Sequence, residues 1–89
     1  MEAITVTFDL KANAVYVRLG EGTVKKTLEF APKTFVDVDL DGRPLGIEIL
    51  NTEMLTEREA KIILQGIAKK FHMPDVGRIN PSLFHPIAA

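Results

Sequence analysis

Residues 34–50 read TFVDVDLDGRPLGIEIL, two alternating runs on either side of Asp41-Gly42. Side chains on a β-strand repeat every two residues. Val36, Val38 and Leu40 therefore share one face, and Phe35, Asp37 and Asp39 the other. After the turn, Leu45, Ile47 and Ile49 fall on one face, with Gly46 and Glu48 opposite. Asp-Gly suits a two-residue hairpin turn in which both central residues take positive φ. Such a turn sets Leu40 opposite Arg43, Val38 opposite Leu45 and Val36 opposite Ile47. The apolar faces then coincide, so turn chemistry and hydrophobic pattern agree on one register. The core expected from this hairpin is Val36, Val38, Leu45, Ile47 and Ile49, with Asp37, Asp39 and Glu48 facing away from it.

Upstream, Ile4, Val6 and Phe8 alternate with Thr5 and Thr7, and Val15, Val17 and Leu19 alternate with Tyr16 and Arg18. A turn over Lys11–Asn13 pairs Phe8 with Val15, Val6 with Val17 and Ile4 with Leu19, again with matched faces. Glu21-Gly22 reads as a second hairpin turn, leading into a third strand over Val24–Phe30. Lys26 shares the face of Val24 and Leu28, which suits a short or edge strand where an inward charge is tolerated. Ala31-Pro32-Lys33 breaks that strand. Short strands joined by tight turns describe an antiparallel meander of five strands.

The period changes after Asn51. Thr56 and Glu59 make a capping box, in which hydroxyl and carboxylate each satisfy a free backbone donor. Ala60, Ile63, Leu64, Ile67, Ala68 and Phe71 follow at helical spacing, and Lys69 and Lys70 suit the negative end of the helix dipole. Pro74 stops the helix. The expectation is an α+β fold: a five-stranded antiparallel meander with one amphipathic helix packed on one face. The chain reads as a single domain over residues 1–89, with sheet over 1–51, helix over 56–72 and an irregular arm over 73–89. The arm carries three prolines together with Val76, Ile79, Leu83, Phe84 and Ile87. That is apolar enough to pack on its own domain or on a partner subunit.

Several function classes are disfavoured. The chain has 89 residues, no cysteine, net charge −1, 46% hydrophobic and 26% charged residues. Disulfides, thiolate metal sites and cysteine nucleophiles are excluded. The charge balance gives no general attraction to nucleic acid or to an anionic membrane. No signal peptide and no apolar run near ~20 residues is present, so a cytoplasmic location is expected.

The segments FD…NAVYVRLGEG, TLEF and VDVDLDGRPLGIEILN together resemble the bacterial domain-of-unknown-function family 2283, over about residues 4–52. Phe8 stands where that family usually has tyrosine, and Val15 where it usually has leucine. The resemblance implies a small sheet module without an assigned activity. Some members sit near toxin–antitoxin-type small proteins, which implies partner binding. Tyr16, Arg18 and Glu48 match the family pattern.

Asp37, Asp39, Asp41, Gly42 and Glu48 satisfy the letter of an EF-hand calcium loop. The context does not: no helix enters before Asp37, and Pro44 occupies the eighth loop position. An acidic face on two paired strands explains the same residues. A divalent-cation or small-ligand site on the Asp37–Glu48 hairpin is therefore the alternative, and no metal or other cofactor is the first expectation. Gly20-Glu21-Gly22 lacks the helix that a phosphate loop requires. His72 caps the helix or stays solvated. Ser82 and His85 lack a third orienting group for nucleophilic catalysis, so no catalytic residue is assigned and an enzyme is not expected. The expected function is a protein–protein interaction module, self-associating as a homodimer or meeting a small protein partner. Its interface candidates are Tyr16, Arg18, Glu48, Leu83, Phe84 and Ile87.

Overall fold

The computed structural model describes residues 4–84. These form two compact units with the boundary between Asn51 and Thr52. The first holds five strands: β1 (Thr5–Asp9), β2 (Ala14–Arg18), β3 (Lys26–Ala31), β4 (Thr34–Val38) and β5 (Pro44–Ile49). All pairings are antiparallel. The second holds one helix, α1 (Glu57–Lys70), and short 3-10 turns at Thr52–Met54, Val76–Arg78 and Pro81–Phe84. The α+β class, the five antiparallel strands and the single helix are as the sequence pattern requires.

The strand order is not that of a meander. It runs β1-β2-β5-β4-β3, so β5 lies between β2 and β4. Glu21-Gly22 is accordingly not a hairpin turn. The chain leaves β2, passes to the far side of the sheet and begins β3 only at Lys26, leaving Val24 46% exposed outside the strand. Burial accounts for this order. A meander would put β3, with Lys26 and Glu29, in the middle of the sheet. The observed order moves those charges to an edge, where water reaches them. It puts β5 in the middle, with Leu45, Gly46, Ile47 and Ile49 all buried.

The β1–β2 register is the one expected, with Phe8 opposite Val15 and Val6 opposite Val17. Asp9 sets its turn, accepting from the backbone N–H of Lys11 at 3.0 Å and of Ala12 at 3.2 Å. The β4–β5 hairpin agrees with expectation in its lower part, where Val36 faces Ile47 and Phe35 faces Glu48. Its tip differs. The Asp39 N–H donates to Arg43 O at 3.0 Å and the Gly42 N–H to Asp39 O at 3.0 Å, which closes a three-residue loop over Leu40, Asp41 and Gly42. Only Gly42 has positive φ, at 82°. Asp at the first and Gly at the fourth position of a four-residue turn favour this type I geometry. Val38 therefore faces Pro44 instead of Leu45, and the register shifts by one before Asp37 meets Gly46. Leu45 is the extra residue of that bulge, and its carbonyl accepts from the Leu19 N–H at 2.9 Å. Leu40, expected on the apolar face, is 81% exposed at the loop tip.

Val15, Val17, Leu19, Val36, Val38, Leu45, Ile47 and Ile49 are buried and form the apolar side of the sheet. In the second unit Thr56 and Glu59 make the capping box, with the Thr56 N–H donating to Glu59 Oε1 at 2.9 Å and the Glu59 N–H to Thr56 Oγ1 at 3.1 Å. Ala60, Leu64 and Ile67 are fully buried along α1. The helix ends before Pro74. His72 takes a left-handed φ of 55°, and the Met73 N–H donates to Ala68 O at 2.9 Å, a Schellman-type stop that needs only one αL residue. Through Phe84 the arm folds back on its own helix, its two 3-10 turns lying against α1, with Val76 and Phe84 fully buried.

Candidate functional site

The polar side of the sheet is ordered in two cross-strand rows. Strand pairing aligns Thr7, Tyr16, Glu48, Phe35 and Glu29 in one, and Thr5, Arg18, Gly46, Asp37 and Thr27 in the other. Residues aligned in this way point to the same side of a sheet, so each row is a line of neighbouring side chains.

Tyr16 joins the two rows. Its side chain leaves β2, crosses β5 over Gly46 and donates its hydroxyl hydrogen to Asp37 Oδ2 on β4 at 3.0 Å. The other carboxylate oxygen of Asp37 accepts from Thr27 Oγ1 on β3 at 2.6 Å. One polar chain thereby bonds β2, β4 and β3 and passes over β5 between them. Gly46 is what admits it, because a Cβ at that position would overlap the Tyr16 hydroxyl and ring. A glycine inside a strand marks such a close approach. Partial burial is the main reason that the Tyr16 hydroxyl holds its proton above the ordinary tyrosine value. The hydrogen bond to Asp37 and the negative charges of Asp37 and Glu48 act in the same direction, while Arg18 opposes them.

Arg18 and Glu48 are exposed beside this lock, and Phe35 is half-buried in the same row as Tyr16 and Glu48. Tyr16, Arg18 and Glu48 thus lie on one side of the sheet, Tyr16 directly opposite Glu48 and Arg18 opposite Gly46. Leu83 is 48% exposed in the second unit, whereas Phe84 beside it is completely buried. Ile87 and His85 lie outside the described residues. Ser82 is exposed, and its backbone N–H donates to Asn80 Oδ1 at 3.0 Å.

The four acidic residues of the cation alternative are not brought together. Asp37 serves Tyr16 and Thr27. Asp39 holds the hairpin loop, accepting from the N–H groups of Asp41 and Arg43 at 2.9 Å each and from Arg43 Nε at 3.1 Å. These bonds, led by that from the Arg43 backbone, hold its carboxyl below the ordinary range. Asp41 sits at the loop tip and Glu48 on the strand face, both exposed. Among the described residues no three His, Asp or Glu side chains are positioned to share a metal ion.

Gly46, Thr27 and Phe35 complete the face beyond the site residues singled out in the sequence, and Asp37, read there as an acidic strand residue or cation ligand, is instead the acceptor for Tyr16 and Thr27. The available signal is a lone glycine inside β5, on the same face of the strand as Glu48.

The geometry defines a small α+β protein built on a five-stranded antiparallel sheet with one ordered polar face. The chain belongs to the family described as "Protein of unknown function (DUF2283)", whose model matches residues 5–52, from the start of β1 to just beyond β5. No curated protein and no solved structure matches the chain. Among the described residues no helix is long and apolar enough to cross a membrane.

Proposed function

We propose that the protein works by contact: it is a small interaction module that self-associates and presents the polar sheet face to a partner chain, with no chemistry of its own. The observation that carries this reading is Tyr16, held by its hydrogen bond to Asp37 on the same side of the sheet as Phe35 and Arg18. Tyrosine and arginine are favoured anchors at interfaces, and an anchor already held in place loses little conformational entropy on binding. The titratable groups at the centre of this face hold one another instead of lining a cleft, and catalysis calls for a concave site with an available acid, base or nucleophile.

Sedimentation velocity of the full chain from low to high micromolar concentration tests the self-association. The expected result is a reversible shift from monomer to dimer. A single monomeric species at every concentration overturns it.

A further inference from the structure

The two edges of the sheet are guarded very differently. The outer strand β3 carries Lys26 and Glu29, has a register irregularity between Glu29 and Ala31, and is followed by Pro32. Charges, bulges and proline are the devices that keep a sheet edge from pairing with another strand. The outer strand β1, TVTFD, has no lysine, no proline and an unbroken register, and its one charge is Asp9 at the end. It is also incompletely covered. Val15 and Val17 on β2 are fully buried, yet their partners Phe8 and Val6 are only half-buried, and Leu10 just past the strand is 62% exposed.

We propose that β1 is the edge through which the protein self-associates, with a second copy of this chain pairing antiparallel to β1 about a twofold axis at Thr7. This rests on the self-association reading given above and assigns it a surface. The strand is self-complementary in that register. Thr7 meets Thr7, Val6 meets Phe8 and Asp9 meets Thr5, so apolar side chains fall opposite apolar ones and no two like charges are opposed. A slip of one residue would set Val6 against Thr7 and mix the two faces. A centre at Thr7 pairs the whole of β1, whereas a centre at Val6 pairs only residues 5–7 within the strand and a centre at Phe8 only residues 7–9. The contact is short, so it belongs to the weak, concentration-dependent class. Its result is a doubled sheet whose polar rows run on from one copy into the next. The Thr7–Tyr16 pairing places the two Tyr16 residues three strand spacings apart, roughly 15 Å.

The chain has no cysteine, so a single introduced thiol reports only on itself. Thr7→Cys and Glu29→Cys, both at exposed positions on opposite edges, would be oxidised at the concentration where the native chain is dimeric and run on a non-reducing gel. The expected result is a covalent dimer for Thr7→Cys and none for Glu29→Cys, since directly opposed strand residues lie within disulfide reach. In parallel, Thr7→Lys and Thr7→Glu should each weaken the dimer several-fold on their own, and an equimolar mixture should restore it. If the native chain sediments as a dimer but Thr7→Cys does not cross-link and the charged variants dimerise normally, the β1 assignment is overturned while self-association stands. If the native chain is monomeric throughout, both fail together.

Discussion

Tyr16 is the only tyrosine, and the chain has no tryptophan. Its ionisation can therefore be followed without interference by ultraviolet absorbance. Because the folded hydroxyl binds its proton more tightly than the unfolded one, the stability it contributes is intact below the ordinary value of 10.0 and is lost as pH rises through the raised value. Tyrosinate should appear at higher pH in the folded chain than in urea. Asp37→Asn should lower that pH only part of the way, since partial burial and the charge of Glu48 still raise it when the Asp37 carboxylate is gone. A titration identical in folded and unfolded protein would dispose of the lock. Gly46→Ala tests it from the other side. The added methyl must push the ring off β5, and overpacking of this kind costs about 1–3 kcal/mol. In a Tyr16→Ala background the obstacle is gone and the cost should shrink, a coupling that urea denaturation of the four proteins measures. An undiminished cost would mean that the glycine is needed for some other reason.

Elements owe their ends to side chains that alternation alone does not reveal. The β4–β5 hairpin is legible in sequence down to the pairing of Val36 with Ile47, because its apolar periodicity allows one register. Its tip is not, because Asp41-Gly42 advertises a two-residue turn. The residue that decides the matter is Asp39, whose carboxylate gathers the Asp41 and Arg43 N–H groups and enlarges the loop by one. The bulge at Leu45 then restores the frame. Asp39 is bound in its ionised form, so its contribution is present above the ordinary carboxylate value of 3.8 and disappears as pH falls through its lowered value. Asp39→Ala should accordingly be less stable than the native chain at neutral pH, with the gap closing in acid. Urea midpoints at the two pH values measure this, and a pH-independent gap would mean that the carboxylate charge is irrelevant. Helix α1 was more legible, because Thr56 and Glu59 mark its start chemically. Its end is less so: His72 adopts a left-handed conformation ahead of Pro74, which histidine enters more readily than most side chains but too seldom to mark a helix stop.

At the scale of the molecule, the number of strands and their antiparallel sense follow from alternation and turns, but their order does not. Order depends on which strands can bear burial between two neighbours, and that comparison spans residues far apart in sequence. Lys26 and Glu29 already spoke for an edge, and Leu45, Ile47 and Ile49 for the centre. The polar lock over Gly46 was hidden for the same reason, since Tyr16 and Asp37 come together only when β5 lies between their strands. The order also fixes a sequence of events in time. The strand at the middle of the sheet is the last one synthesised, so β1–β2 and β3–β4 can exist beforehand only as separate ribbons, each too small to hold a core. The β2–β5 contact closes a long loop, the costly step in assembling non-local sheets. Pro44–Ile49 then acts as the keystone laid after the arms of the arch. Ile47→Val should slow refolding in stopped-flow experiments, whereas Val6→Ala at the edge should chiefly hasten unfolding. The reverse pattern would mean that the arch closes elsewhere. During synthesis the consequence is vectorial: until residue 49 has left the ribosome the apolar sides of both ribbons have no common neighbour, and the sheet appears nearly all at once when β5 arrives.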